Sequence, residues 1–193
     1  MVLIALSAAC PVGAKSYYIQ DVDIDVTVRP DGGFDFHELR TFSFDGDFTF
    51  AYYRVGKARI ADGDRVDITD FTVAEGGRAY DRRPAREIDD SRPPGTYWVD
   101  YDYRGEYVYA KWFYRADDEN RTFEISYDVH DAVTVYDDFA QLYWKFVGED
   151  WDVPTRRVTG TIHLPEGADK DDVRAWLHAT LTSRYDIVDP TTV

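Results

Sequence analysis

Carboxylates are the commonest side chains in this sequence that could do chemistry. The chain has 193 residues, with 37 Asp or Glu against 22 Lys or Arg, so its formal net charge is -15. Paired carboxylates can hydrolyse glycosidic bonds, and clustered ones can bind calcium. Because so many acids bring some pair to a suitable separation by chance, the sequence selects no catalytic pair. A carbohydrate-active, glycoside hydrolase-like enzyme therefore stays an alternative function.

Three aspartates alternate with aliphatic residues near the start of the chain. Asp21, Asp23 and Asp25 would share one face of a strand, with successive carboxylates roughly 7 Å apart, too far for one calcium ion to gather all three. Further acids lie in predicted turns, at Asp45-Gly46-Asp47, Asp117 to Asn120 and Asp137-Asp138. None keeps the ligand spacing of a known calcium loop. A calcium-dependent binding module stays a second alternative, and no metal ligand is assigned.

Catalytic motifs are mostly missing. The sequence has no Gly-x-Ser-x-Gly elbow, no phosphate-binding Gly-Lys-Ser/Thr loop and no Cys-x-x-Cys pair. Its four histidines are scattered, and a structural hydrogen bond is the simpler role for His37 and His163, which fall within strand patterns. We assign no catalytic residue and no cofactor, and we expect that the chain is not an enzyme.

The best candidates for binding residues are two tryptophans and one acid. Trp144, Asp150 and Trp151 lie beside the turn residues Gly148 and Pro154, and tryptophan is favoured at interaction hot spots. The competing interpretation is core packing, because a large ring can also close the end of a sandwich.

Four arginines form the one basic cluster of this acidic chain. Arg82, Arg83, Arg86 and Arg92 occur in a run with several prolines, which predicts an exposed loop. The loop is either simply solvated or a docking place for an anionic wall polymer or a partner. The net negative charge repels phosphate backbones and argues against nucleic-acid binding. The expected partner is therefore an unknown protein or a cell-envelope polymer.

Strands that alternate apolar and polar residues must position these side chains. The alternation is clearest in Val22–Val28 and Arg157–Leu164, whose aliphatic side chains should face a shared core. The turn Pro30 to Gly33 should join the first of them to Phe34–Phe44 as a hairpin. The other predicted strands are Phe48–Val55, Val66–Ile68, Phe71–Ala74, Arg78–Tyr80, Thr96–Tyr103, Glu106–Tyr114, Thr122–Val129 and Ala132–Tyr136. We predict an all-β, antiparallel, β-sandwich-like fold.

Two segments show helical spacing instead, so the fold should contain at most one or two short helices. These segments are Asp138–Phe146 and Asp169–Leu181, where apolar residues recur at intervals of three and four. Tyr185–Val188, followed by Asp189-Pro190, is typical of one arm of a hairpin whose other arm is missing. We expect a domain that is truncated at its C-terminal end.

The first residues indicate export. Met1 to Ala9 carry no charge and are mostly apolar, and Val12-Gly13-Ala14 supplies small residues suited to signal peptidase. We interpret residues 1–14 as a signal peptide and residues 15–193 as one extracytoplasmic domain. Cys10, the only cysteine, falls within the signal, so the mature domain would have no disulfide. Lipid attachment at Cys10 is the alternative, although Leu6 precedes it by four residues rather than three.

A longer pattern resembles a known family. It includes Tyr136-Asp137-Asp138, Leu142 to Gly148, and Trp151-x-Val153-Pro154. Further matches are Ser16 to Ile19 through Val22 to Val26, Pro30-Asp31-Gly32, Arg121-Thr122-Phe123, Ile125-Ser126-Tyr127 and Thr161 to Pro165. Together they are similar to the predicted membrane protein family, domain of unknown function 2207, over nearly all of the mature chain.

This resemblance implies a membrane protein with a signal peptide, this extracytoplasmic domain, and transmembrane helices that follow it. The expected location is outside the cytoplasm, anchored to the cell membrane through C-terminal helices that are missing here. The resemblance also favours strands at Leu142–Val147 and Val173–Ala179, against their helical spacing. It assigns no catalytic residue, so the expected function is a non-catalytic binding or interaction domain.

Overall fold

The computed structural model describes residues 14–58, 65–147, 153–169, 171–178, 183–184 and 186–187. The predicted signal peptide therefore lies outside the described residues, apart from Ala14. The strands are β1 (Ser16–Val28), β2 (Phe34–Asp45), β3 (Asp47–Gly56), β4 (Asp67–Glu75), β5 (Arg78–Ala79), β6 (Asp81–Arg82), β7 (Thr96–Tyr103), β8 (Tyr107–Asp117), β9 (Asn120–His130), β10 (Val133–Val135), β11 (Ala140–Leu142) and β12 (Thr155–His163). One short helix, α1 (Ala85–Ile88), lies between β6 and β7.

The larger sheet has six strands in the order β12-β1-β2-β9-β4-β5. β1 and β2 form the predicted antiparallel hairpin, and Gly32 closes its turn with a φ of 84°, a conformation that suits glycine. β12 joins the free side of β1 as a parallel strand. The two segments predicted at Val66–Ile68 and Phe71–Ala74 fall largely within one strand, β4, which is interrupted by an irregularity around Asp70.

The smaller sheet has four strands in the order β3-β8-β7-β6. Its inner face and that of the larger sheet share one hydrophobic core, to which both sheets contribute aromatic rings. Alternating burial marks the core side of each strand: Val22, Val26, Phe36, Phe42, Val108, Trp112, Phe123 and Ile125 are all at most 1% exposed. The all-β, sandwich-like prediction is therefore confirmed.

The predicted helix at Asp138–Phe146 is wrong. The segment instead provides β11, which pairs antiparallel with β10 as a two-stranded hairpin. The backbone N–H of Tyr136 donates to the carbonyl of Phe139 at 2.8 Å, and the two rings stack with centroids 4.4 Å apart. The helical stripe of Phe139, Leu142, Tyr143 and Phe146 therefore begins at a hairpin turn, passes through β11 and ends in residues without regular structure.

The helix predicted at Asp169–Leu181 is also not found in the part of that segment that the structure describes. Residues 171–178 form neither a helix nor a strand, so the strand suggested at Val173–Ala179 is not found there either. Leu142 ends β11, and residues 143–147 continue without regular structure. Of the predicted hairpin arm at Tyr185–Val188, Tyr185 and Val188 lie outside the described residues, and Asp186 and Ile187 form no strand. No helix among the described residues is long and apolar enough to cross a membrane.

β12 is a strand as predicted, but its aliphatic side chains do not enter the core. Val158 and Ile162 are 46% and 47% exposed, whereas their register partners on β1, Val22 and Val26, are buried. The reason is position: in the described part of the chain, β12 is the edge strand of the six-stranded sheet, and the smaller sheet has only four strands. The expectation that Arg157–Leu164 faces a shared interior is therefore wrong for Val158 and Ile162, whereas Leu164, directly after β12, packs against the core.

Side chains on the outer face hold β12 in place. The three alternating aspartates of β1 each reach across to it: Asp21 pairs with Arg157, Asp23 accepts from the Thr159 hydroxyl at 2.7 Å, and Asp25 lies 3.0 Å from His163 Nε2. These carboxylates face outward, as predicted, and they tie the edge strand to the sheet.

Candidate functional site

Aromatic side chains cover the outer face of the four-stranded sheet. Tyr97, Ala110 and Trp112 are buried on the core side, so the alternating residues Trp98 and Tyr109 point outward, where both are half-buried. The register places Tyr52 of β3 and Trp98 of β7 on either side of Lys111 of β8. The sheet thus positions rings from three strands on one surface.

These rings form a continuous patch. Tyr109 lies at its centre, with ring centroids 5.2 Å from Trp98, 5.0 Å from Tyr103 and 5.8 Å from Tyr52. The Tyr52 ring is within 13° of parallel to Tyr109, and the other two are tilted by 34° and 35°. We call Trp98, Tyr109, Tyr103 and Tyr52 the outer aromatic face. Burial raises the pKa of Tyr109 to about 12, aided by the neighbouring hydroxyls of Tyr52 and Tyr103, so its hydroxyl stays neutral and can donate hydrogen bonds.

A polar triad fixes one border of this face. Asp89 Oδ1 accepts a hydrogen bond from Lys111 Nζ at 2.7 Å and another from the indole N–H of Trp98 at 3.1 Å. The hydrogen bond from Lys111 and that from Trp98 lower the pKa of Asp89 despite partial burial. Since its only polar indole atom is bound to Asp89, Trp98 has a defined orientation.

The arginine-rich loop is anchored against the same face. Ile88 of α1 is 1% exposed, yet it is not part of the core between the sheets, and neither is the fully buried Phe113 of β8. The backbone N–H of Gly95 donates to the carbonyl of Phe113 at 2.9 Å. The loop that sequence patterns predicted as exposed is therefore packed over one end of the outer face by Ile88 and keeps its arginines at the surface.

An open groove of about 760 Å³ separates this loop from β7. Its lining includes Arg82, Arg83, Pro84, Trp98, Asp100 and Tyr101, and we call it the arginine groove. Arg82 lies over the Tyr101 ring with its guanidinium carbon 5.1 Å from the centroid, and Arg83 Nε is 2.8 Å from Asp81 Oδ2. The groove therefore combines cationic, aromatic and carboxylate groups beside the outer aromatic face.

The four predicted arginines do not act as one cluster. Arg82 and Arg83 line the arginine groove, whereas Arg86 lies 3.8 Å from Glu87 and Arg92 lies over the Phe50 ring at 4.9 Å. Two of the four are thus placed to meet a ligand in the groove.

Of the predicted binding residues, only Trp144 falls within the described part of the chain. It is half-buried, packs against the core and meets the Phe34 ring edge-on, with centroids 5.0 Å apart at 77°. This is the geometry of the competing core-packing interpretation. Asp150 and Trp151 lie outside the described residues, so a binding role for the three stays a prediction.

Loop acids and histidines mostly have partners within the protein. Asp118 accepts from the backbone N–H of Gly46 at 2.6 Å, Glu119 pairs with Arg121, and His37 Nδ1 lies 3.0 Å from the Ser126 hydroxyl. In the described part of the chain, no three His, Cys, Asp or Glu side chains come together as a metal site.

A charged pair lies in the middle of the core. Glu38 and Arg40 of β2 are fully buried and bonded to each other, and the Tyr53 hydroxyl donates to Glu38 Oε2 at 3.1 Å. Burial, together with the charge of Glu38, raises the pKa of Tyr53. The full burial of both side chains indicates a role in the core.

Sequence reasoning missed both Glu38 and the outer aromatic face. The signal for Glu38 was present, because it and Arg40 share the alternating positions of Phe36 and Phe42. The signal for the aromatic face was ambiguous. In β7 aromatics occupy both alternating sets, with Tyr97 and Tyr101 on one side and Trp98 on the other.

Comparison with known proteins places the chain in a family. No curated protein sequence matches it. One solved structure with a partial likeness, a "putative protease" from Parabacteroides distasonis, shares 11% identity with a TM-score of 0.25, and the match covers 59% of this chain and 23% of that one. A similarity this low says nothing about the activity of this chain. The model of the predicted membrane protein (DUF2207) N-terminal domain matches residues 18–192. The chain therefore belongs to the predicted membrane protein family, domain of unknown function 2207, as its sequence pattern predicted.

Proposed function

We propose that this chain is a non-catalytic, extracytoplasmic binding domain of a membrane protein, which holds a cell-envelope polymer on its outer aromatic face. The observation that carries this proposal is the cluster of Trp98, Tyr109, Tyr103 and Tyr52 on the outer side of a sheet, bordered by the arginine groove. Rings held at the surface offer large contact areas at little cost in side-chain entropy.

The contrast between the two outer faces supports this choice. The outward positions of β1, β2 and β9 are mainly polar, acidic and histidine side chains, among them Asp23, His37 and Ser126, with Leu39 and Tyr18 as exceptions. Those of the smaller sheet carry tyrosine and tryptophan instead. Aromatic residues are enriched at binding surfaces, so the smaller sheet is the better candidate.

The carboxylates near the groove favour binding over hydrolysis. Glycoside hydrolysis needs a carboxylic acid with a raised pKa close to a second carboxylate. Asp89 instead has a lowered pKa, and Asp100 Oδ1 accepts a hydrogen bond from the backbone N–H of Asp102 at 3.0 Å. Asp128, whose pKa is raised by burial and by the charge of Asp35, belongs to the other sheet and lines neither the groove nor the aromatic face.

A sedimentation assay with isolated cell-envelope material tests the binding proposal. The chain should sediment with the envelope, and Trp98→Ala should abolish most of that binding because it removes the largest ring of the face. Trp176→Ala is the matched control, since Trp176 is 77% exposed elsewhere on the chain. Both variants should keep the circular dichroism spectrum of the parent.

Two outcomes of this assay contradict the proposal. Equal binding by Trp98→Ala and the parent would show that the outer aromatic face is not the site. Loss of binding after the envelope is treated with protease would show that the partner is a protein and not a polymer.

The extracytoplasmic location has its own test. The uncharged, apolar start of the sequence supports export, and membership of a predicted membrane protein family supports anchoring. Protease added to intact cells that produce the membrane protein should digest this domain while a cytoplasmic control protein survives. Protection of the domain in intact cells, with digestion after lysis, would overturn the proposed location.

A further inference from the structure

Strand β12 leaves one long edge of the larger sheet open. It has nine residues, and in the described part of the chain its only neighbour in the sheet is β1. A strand with one neighbour presents a row of unpaired backbone N–H and C=O groups, to which another strand can bind. We propose that β12 pairs antiparallel with β12 of a second copy of this chain, in a register centred on Gly160. This interface is independent of the polymer binding proposed above, which uses the smaller sheet.

The edge of β12 lacks the features that keep other edges from pairing. Protected edges are usually short, bulged, or occupied by lysine or proline. β5 and β6, at the ends of the two sheets, have two residues each, and β3 has a register shift between Phe48 and Phe50. β12 contains neither proline nor lysine and keeps one register with β1 from Thr155 to His163. Among the described strands, it is therefore the edge best suited to accept a further strand.

Two aliphatic side chains of β12 are left uncovered. Val158 and Ile162 are 46% and 47% exposed on the side of the sheet where their partners on β1 are buried. They lie four residues apart, with Gly160 midway between them. In an antiparallel pair centred on Gly160, Val158 of one copy lies directly opposite Ile162 of the second copy, and the reverse contact forms by symmetry. The two copies thus cover each other's exposed aliphatic side chains.

The charges around β12 favour contact between copies at this edge. Each copy carries a net charge of -15, yet no acid occurs in residues 153–165. The same register places Arg157 opposite His163 of the second copy, whose Nε2 lies 3.0 Å from the Asp25 carboxylate of its own copy. Arg157 of each copy also pairs with Asp21. The guanidinium of one copy thus meets a histidine that is bound to a carboxylate of the other, which is a complementary arrangement.

The size and symmetry of this interface predict a weak dimer with a defined shape. A single nine-residue strand from each copy buries less than the roughly 1,200–2,000 Å² of stable complexes, so we expect a Kd on the order of 0.1 mM. Antiparallel pairing puts the two-fold axis perpendicular to the larger sheet, so the smaller sheets of both copies lie on the same side. The dimer therefore presents two outer aromatic faces in one direction.

Sedimentation equilibrium tests the dimer, at about 150 mM sodium chloride so that long-range repulsion between the acidic copies is screened. The parent should pass from monomer to dimer as its concentration rises from about 10 μM to 1 mM, across the expected Kd. Val158→Asp should weaken dimerisation at least about tenfold, because it places a charge in an apolar contact. Val135→Asp adds the same charge at a residue of β10 that is 78% exposed, and this control should dimerise as the parent does. Both variants should keep the circular dichroism spectrum of the parent.

A cysteine at the proposed axis tests the register. Directly opposed residues of an antiparallel pair have Cα atoms about 4.5–5.5 Å apart, which a disulfide can bridge. A Cβ atom at Gly160 would lie 3.6 Å from its nearest neighbours, which is an ordinary contact, so a side chain fits there. In a chain that carries Cys10→Ser, Gly160→Cys should give a disulfide-linked dimer under mild oxidation. Thr159→Cys is the control and should not, because its two copies lie roughly 7–8 Å apart across the axis.

Each measurement has an outcome that contradicts the proposed dimer. A parent that stays monomeric at about 1 mM overturns it and leaves the β12 edge to a strand of another protein. Dimerisation that is unchanged by Val158→Asp, or that Val135→Asp weakens equally, overturns the contact through β12. Disulfide formation as ready with Thr159→Cys as with Gly160→Cys, or with neither variant, overturns the register centred on Gly160.

Discussion

At the scale of single residues, the buried pair of Glu38 and Arg40 shows that the alternating pattern of a strand can correctly assign even charged side chains to the core. Period two places both on the core side of β2, and both are fully buried. Composition alone predicts the opposite, because charged residues are almost never fully buried unless paired. The pairing partner in this case is only two residues away in the sequence, so the buried pair was predictable from β2 itself.

Arg40→Leu should destabilise the domain by about 3–5 kcal/mol, because it leaves the Glu38 carboxylate buried without its cation. The double variant Glu38→Leu/Arg40→Leu should recover most of that loss, since it removes both charges. Urea denaturation at pH 7 measures the free energies of unfolding. A double variant as unstable as the single one would show that the pair has partners on which the core depends more strongly.

Asp89 links stability to pH. Its folded pKa is lowered below the ordinary 3.8, chiefly by the hydrogen bond from Lys111, so the stabilisation is complete above the unfolded pKa and is lost as pH falls through the folded pKa. Asp89→Asn should therefore be less stable than the parent at pH 7 and equally stable near pH 2. Denaturation curves at both pH values give the comparison, with Asp90→Asn, an exposed neighbour, as control. A difference that persists near pH 2 would assign the effect to lost packing and not to charge.

At the scale of elements, strands were predictable and their burial only partly so. Thr96–Tyr103 was predicted with the bounds of β7, and Val22–Val28 falls within β1 with its valines buried. The failures have one cause: alternation shows that a strand has two faces but not what covers each face. Val158 is exposed because β12 is an edge strand, and Trp98 lies at the surface because the core is on the other side of β7.

Matched valine-to-alanine substitutions on β1 and β12 measure what this difference in burial contributes to stability. Val22 and Val158 are register partners on the same face, with 1% and 46% exposure. Val22→Ala should cost about 2 kcal/mol and Val158→Ala less than about 1 kcal/mol, because only the first leaves a cavity in a closed core. Thermal or urea unfolding supplies both values. Equal costs would show that the inner face of β12 is covered in solution.

At the scale of the whole molecule, excess negative charge opposes the compact state. The net charge of -15 remains after every Lys and Arg is counted against the acids, so like charges repel one another across the domain. The side of the smaller sheet that we propose for binding has Lys111 next to the Phe50 ring, and the larger sheet likewise has Arg156 next to the Tyr18 ring. Neither the location of the proposed binding side nor its neighbours could be predicted from sequence, since the arginine groove combines β6, β7 and the loop between them in three dimensions.

Salt should therefore stabilise this domain. Raising sodium chloride from about 10 mM to 150 mM shortens the screening length from roughly 30 Å to 8 Å and relieves long-range repulsion. If the relief is about 1 kcal/mol, the melting temperature should rise by roughly 2–4 °C. Scanning calorimetry at the two salt concentrations checks the sign. A fall in melting temperature would mean that exposed ion pairs such as Arg157 with Asp21 contribute more than the repulsion they offset.

The parallel pairing of β12 with β1 also constrains the order in which the domain can be completed. Contacts such as that between Arg157 and Asp21 join residues 136 positions apart. They can therefore form only after the chain has been made as far as β12. A polypeptide that crosses a membrane from its N-terminus would deliver β1 and β2 early and β12 last. Under the export that we propose, one side of β1 stays open during translocation, and envelope chaperones would have to shield this edge until β12 arrives.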